Sequence, residues 1–172
     1  ANTGALGHVL SFAAVMALGI RAASNGGRVF TVLGDGELPE GANWEGASIA
    51  AHHRLDNLVA FVDVNDLQIS GPTAEVMNME PIADKFAAFG WNTVTIDGND
   101  IDAVLDAVST ADGEKGRPTV VVARTTKAKG ISFLEGTLAS HYWKPTVEEL
   151  DRAEREVHAR IDNLREWNDH GC

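Results

Sequence analysis

The chain is short of several things that other classes of protein require. Its single cysteine, Cys172, rules out an internal disulfide framework and fits a reducing compartment such as the cytoplasm. Basic residues are scarce, with 14 Lys and Arg against 25 Asp and Glu and a formal net charge of −11. That balance disfavours non-specific binding to nucleic acid or to an anionic membrane surface. It also means that any phosphate must be held by a metal ion or by backbone N–H groups. No apolar run approaches the roughly 20 residues that span a bilayer. There is no internal repeat and no low-complexity segment.

What remains is ordinary globular material: 172 residues, 44% hydrophobic, enough for one domain with its own core. The expected domain is a single unit over 1–172. An alanine-rich apolar pattern predicts a helix over 7–24, buried on most sides. Strands are expected at 28–34, 57–65, 91–98 and 116–126, each apolar or β-branched. Helices are expected at 40–55, 81–89, 100–111 and 146–167. Asp100 is placed to cap the third of these, and Thr146 with Glu149 has capping-box spacing at the last. Apolar strands alternating with helices predict an α/β fold, a mostly parallel sheet with helices on both faces. Residues 127–145 form one long irregular stretch, a place where function often resides.

In open sheets of this kind ligands bind beyond the carboxyl ends of the strands. Two such ends are "VLGDGE" and "VDVNDL". Taken alone, Gly34-Asp35-Gly36 is an ordinary strand-end turn. The combination is more specific, because Asn65 follows Asp35 by thirty positions with strand, helix and strand between. If the two strands are adjacent and parallel, a carboxylate and an amide oxygen emerge on one edge, and a carbonyl of "DLQISG" can join them. A few oxygen donors suit Mg²⁺, which completes its octahedron with phosphate oxygens and water. Gly34 and Gly36 permit close approach of a ligand to the backbone, and the next helix offers its N-terminal N–H groups.

The stretch "GDGELPEGANWEGASIAAHHRLDNLVAFVDVNDLQISGPT" resembles the thiamine-diphosphate signature of transketolases: GDG, close to thirty residues, then Asn. "NTGALGHVLSFAAVMALG" is similar to that family's STGSLGQG segment and its helix. "MEPIADKFAAFGWNTVTIDGNDIDAVLDAV" and "GRPTVVVARTTKAKGISFLEG" follow in the family's order. The likeness reaches to about residue 155 and implies the thiamine-diphosphate-binding fold. It further implies that Asp35 and Asn65 ligate Mg²⁺ through side chains and Leu67 through its carbonyl. Gly34 and Gly36 would lie against the diphosphate, and Gly4 and Leu6 against the thiamine rings. Glu40 and Glu45 occupy the places of acidic residues that link two active sites at the family's subunit interface, although both also suit a helix start. His141 in "ASHYWKPTVEEL" matches a histidine in "WHGKAPNDEEL" that faces substrate phosphate or hydroxyls. His8 and Val9 depart from the family's Gln and Gly near the thiazolium.

Relative to such enzymes the sequence lacks the upstream SGHPGG, KGH and GHPE-like stretches, so it is expected to be N-terminally incomplete. It also lacks the domain that carries the glutamate activating the cofactor's pyrimidine. The resemblance therefore implies one subunit of a split transketolase, a hetero-oligomer completed by a C-terminal transketolase-like subunit with the activating glutamate. The implied reaction is transfer of a two-carbon ketol unit from a ketose to an aldehyde. Two alternatives stay open: acyl transfer from a 2-oxo acid such as pyruvate, or a non-catalytic cofactor-binding or assembly subunit.

Overall fold

The computed structural model describes residues 4–170, with side chains described as far as residue 162. The chain divides into two units, one running through Thr125 and one starting at Thr126.

The first unit is built on four strands: β1 (Val29–Gly34), β2 (Leu58–Val64), β5 (Asn92–Asp97) and β6 (Thr119–Arg124). They lie in the order β1-β2-β6-β5, and every pairing is parallel. The central strands β2 and β6 are almost wholly buried, as continuous apolar runs in a doubly covered sheet must be. Helices α1 (Val9–Ala22), α2 (Gly41–His52) and α4 (Ile82–Ala88) cover one face. Their core joins Leu10, Ala14, Leu33, Leu58, Val62, Phe86, Trp91 and Val122. Helix α5 (Ile101–Gly113) covers the other face, where Ala107 and Ala111 pack on Val59 and Val121. Asp100 caps it, accepting from the Asp102 and Ala103 N–H groups.

Three details depart from the sequence reading. Helix α1 buries only the stripe Leu10, Ala13, Ala14 and Ala17. Phe12, Val15 and Met16, on the opposite side at three- and four-residue spacing, are at least half exposed within the unit. Helix α2 stops at His52 rather than at 55. There the Leu55 N–H turns back to the Ala50 carbonyl at 3.0 Å, with Arg54 in the left-handed region at φ 52°. Arg21 donates to the His53 and Arg54 carbonyls that this ending leaves open. Finally, β3 (Leu67–Gln68) and β4 (Gly71–Pro72) form a small antiparallel hairpin followed by the short helix α3 (Thr73–Val76). Two-residue strands are too short to leave a periodic pattern.

In the second unit a series of turns leads through a 3₁₀ segment, Leu138–Tyr142, to helix α6 (Val147–His170). The expected capping box is present: Glu149 accepts from the Thr146 N–H, and Thr146 Oγ1 accepts from the Glu149 N–H. Ser132 donates through both its N–H and its hydroxyl to Glu156 of α6. Among the described residues no helix is long and apolar enough to cross a membrane.

Candidate cofactor site at the carboxyl ends of two strands

Strand β1 ends at Gly34, which is in register with Asp63 on β2. The chain then tightens into a 3₁₀ turn, Asp35–Glu37, and Asp35 is only 4% exposed. Its Oδ1 accepts from the Gly36 N–H and its Oδ2 from the Asp66 N–H, both at 2.8 Å. Burial pushes the Asp35 carboxyl above the ordinary aspartate range, the two N–H donors pull it down, and the neighbouring Asp66 and Asp63 push it up again. A buried carboxylate beside two like charges is a strong attractor for a cation.

Asn65 follows the end of β2. Its Oδ1 accepts from the Leu67 N–H at 3.2 Å, and its Nδ2 donates to Asp63 Oδ2 at 3.1 Å. Asp66 adopts φ 62°, which reverses the chain so that its N–H reaches Asp35 and its carbonyl accepts from the Thr73 N–H. Asp35 and Asn65 are thus brought together as expected, on neighbouring parallel strands. Asp35, Asn65 and the Leu67 carbonyl are oxygen donors on adjoining segments. Among the described residues no group of three or more His, Cys, Asp or Glu side chains is placed to hold a metal.

Gly36 is needed for packing. A Cβ there would lie 2.7 Å from Gln68 Cβ, so the 3₁₀ turn rests directly on the hairpin. A Cβ on Gly34 would meet nothing within 4 Å. Gly4 and Leu6 are exposed in the turn leading into α1. Gly7, at φ 81°, sits so close to Glu40 that a Cβ would lie 2.5 Å from that residue's own.

Glu40 and Glu45 are exposed at the start of α2. Glu40 holds the cap position without making a side-chain cap bond, and Glu45 lies beyond the first turn. His141 belongs to the second unit, where it is exposed with its ring edge-to-face against Tyr142 at 4.7 Å.

Sequence reasoning missed three residues. Glu37 Oε1 accepts from the Gly7 N–H at 2.7 Å and Oε2 from the Gly34 N–H at 3.4 Å, tying the turn before α1 to the end of β1. Its position three residues after Gly34 was the available signal, since that spacing lets a glutamate reach back to the N–H before a helical turn. Asn43, fully buried in α2, donates to the Glu37 carbonyl at 2.7 Å. Asp63 is the one charged residue in the strand "LVAFVDV", an anomaly readable in the sequence.

Comparison with known proteins identifies relatives of the chain. Residues 2–157 match the family model described as transketolase, thiamine diphosphate binding domain. The chain is 39% identical over 167 residues to an apulose-4-phosphate transketolase subunit of Phocaeicola vulgatus, covering 97% of this chain and 59% of that protein. It is 43% identical over 158 residues to the 6-deoxy-6-sulfo-D-fructose transketolase subunit SqwG of a Clostridium species, covering 88% of this chain and 58% of that protein. Among solved structures, transketolase from Campylobacter jejuni superposes with a TM-score of 0.83 at 29% identity, over 89% of this chain and 25% of the other. The chain thus spans under two thirds of the length of these relatives.

Proposed function

Because this chain belongs to the transketolase thiamine-diphosphate-binding domain family, we propose that it is the diphosphate-binding part of a transketolase-like enzyme that uses thiamine diphosphate and Mg²⁺. Both units together would make up one cofactor-binding domain. The observation that carries the reading is the buried Asp35 carboxylate, bonded to the Asp66 N–H, with Asp35 and Asn65 each directly following one of two adjacent parallel strands.

The residues fit the group. Asp35 and Asn65 side chains and the Leu67 carbonyl would hold the cation. Each Asp35 oxygen accepts one N–H, and a carboxylate oxygen has room for a further partner. Mg²⁺ is commonly bound through one or two carboxylates together with substrate phosphates, and does not need an all-protein cage. Like charge from Asp63 and Asp66 adds to the attraction. Gly34 leaves open space for a diphosphate, and Gly36 keeps the turn tight against the hairpin. Gly4 and Leu6 would border the thiamine rings, with Glu37 fixing their turn through the Gly7 N–H.

Thiamine diphosphate, when bound, supplies the electron sink for carbon–carbon cleavage. The protein's part is orientation. Glu40 and Glu45, neither of which makes a side-chain cap bond, would join the acidic network between sites where a partner subunit docks. His141 would bind a phosphate or hydroxyl of the sugar. The glutamate that activates the cofactor would come from a C-terminal transketolase-like subunit in a hetero-oligomer, working in the cytoplasm. The reaction would move a two-carbon ketol unit from a ketose to an aldehyde. The names of the apulose-4-phosphate and 6-deoxy-6-sulfo-D-fructose relatives support a sugar donor.

The test is reconstitution of the chain with its partner subunit, thiamine diphosphate and Mg²⁺, assayed against ketose donors and against pyruvate. Turnover of a ketose with an aldehyde acceptor is expected. Turnover of pyruvate alone, or binding without turnover by the complete complex, overturns the ketol-transfer reading.

A further inference from the structure

Asp63 carries a charge in a strand that is otherwise apolar, and it does not serve the core. Its two oxygens are committed in different directions. Oδ1 accepts the hydroxyl of Thr125, which follows the end of the neighbouring strand β6. Oδ2 accepts from Asn65 Nδ2 at 3.1 Å. Thr125 is itself fixed, because its N–H donates to the Val64 carbonyl at 3.0 Å. Three residues on two adjacent strands therefore form a chain of hydrogen bonds ending at the Asn65 amide.

We propose that Asp63, braced by Thr125, is a positioning residue that compels Asn65 to present its oxygen, not its nitrogen, to the cofactor's cation. The proposal rests on the reading that Asp35 and Asn65 hold that cation. An amide has two faces of similar shape and opposite hydrogen-bonding character, and only the oxygen can ligate a metal. An ionised carboxylate accepts and cannot donate. With Asp63 on one side, the amide must turn its NH₂ there. The other side is set by the Leu67 N–H, a donor that demands an acceptor and finds Oδ1 at 3.2 Å. A flipped amide would place oxygen against oxygen at Asp63 and N–H against N–H at Leu67. Both constraints select one orientation before any ligand arrives, so the ligand oxygen is preorganised. Partners that orient a metal ligand in this way commonly contribute 10–100-fold in metal affinity.

The charge of Asp63 also attracts a cation, so the test must separate attraction from orientation. Titration calorimetry of the full chain with thiamine diphosphate and Mg²⁺ is carried out on the wild type, D63A, D63N, T125V, N65A and the double variant D63A/N65A. D63A removes the acceptor and is expected to weaken Mg²⁺-dependent binding about 10–100-fold. D63N removes the charge but keeps an oxygen for the Asn65 NH₂, with the Thr125 hydroxyl turning to accept, and is expected to recover most of the loss. Removing Asp63 should cost much less in the N65A background than in the wild type, because Asp63 acts mainly through Asn65 and its charge accounts only for the remainder. Melting without ligand identifies a variant that merely unfolds, and T125V, which leaves Asp63 in place, then stands in with a smaller loss. The side-chain amide resonances of Asn65, assigned by their absence in N65A, report orientation without any cofactor. They should shift and exchange faster in D63A but not in D63N. Equal weakness of D63N and D63A, additive losses in the double variant, or unchanged Asn65 resonances in D63A would each overturn the proposal. If the wild type binds no cofactor even with its partner subunit present, the cation reading is overturned instead, and the amide resonances then decide the orientation claim alone.

Discussion

The Asp66 N–H donates to Asp35 Oδ2 at 2.8 Å, joining the ends of two strands across 31 positions of sequence. That bond locks the position of the most buried carboxylate among the candidate site residues, and it depends on the left-handed conformation of Asp66. Asp35→Asn keeps the shape of the side chain and removes the charge. Its amide offers one oxygen to the two N–H donors, so the variant should melt below the wild type without ligand, and it should lose the Mg²⁺-dependent shift that thiamine diphosphate gives the wild type. At a ligand concentration a hundredfold above Kd that shift corresponds to about 2.7 kcal/mol. Differential scanning fluorimetry with and without Mg²⁺ checks it, and an undiminished shift would remove Asp35 from the site.

Gly36 and Gln68 meet where the 3₁₀ turn rests on the hairpin. Gly36→Ala places a methyl group 2.7 Å from Gln68 Cβ, an overpacking expected to cost about 1–3 kcal/mol. It should also weaken cofactor binding by pushing the two loops apart. Shortening the opposing side chain in the double variant Gly36→Ala/Gln68→Gly should recover part of both losses. Urea unfolding and calorimetry measure the two effects separately.

Trp91 anchors the core beneath β5. It is 2% exposed, donates through Nε1 to the Ala47 carbonyl at 2.9 Å, and lies edge-to-face on Phe86 at 5.3 Å. Trp91→Ala should destabilise by about 3–5 kcal/mol. Trp91→Phe loses the hydrogen bond and part of the volume, and should cost clearly less. Denaturant midpoints at constant slope would verify the order.

In the second unit the Ser132 N–H, followed by its hydroxyl, holds the Glu156 carboxyl below its ordinary range, with Arg152 helping. A depressed folded value means that this contact stabilises the fold above the ordinary glutamate range. The contribution is lost as pH falls through the depressed value. The Ser132 amide resonance should therefore titrate with a midpoint below 4.5, the unperturbed value for Glu156. In Glu156→Gln that titration should vanish.

Much of this architecture was legible in the sequence because the relevant signals are local. The apolar runs of β2 and β6 pointed to a parallel, doubly covered sheet, and the strand–helix–strand unit whose two strands are followed by Asp35 and Asn65 placed both at one edge. The caps at Asp100 and Thr146 follow from spacing alone. What escaped was set by non-local geometry. The end of α2 depends on the left-handed Arg54 and on Arg21 from another helix. The exposed side of α1, with Phe12, Val15 and Met16, reads as buried because hydrophobicity does not say which apolar residues find a neighbour within the unit. Glu37, Asn43 and Asp63 act through bonds to Gly7, the Glu37 carbonyl and Thr125, partners that only the folded chain brings near. Asp63 was nonetheless visible as a charge inside a buried strand.

The central claim is that a divalent cation joins the Asp35 and Asn65 oxygens to a diphosphate. Its most direct measurement is a crystal structure of the chain grown with thiamine diphosphate and Mn²⁺ in place of Mg²⁺, with anomalous scattering used to locate the metal. The account predicts one strong peak in contact with the Asp35 carboxylate, the Asn65 side-chain oxygen and the diphosphate. An ordered diphosphate with its metal elsewhere, or touching neither residue, would contradict it.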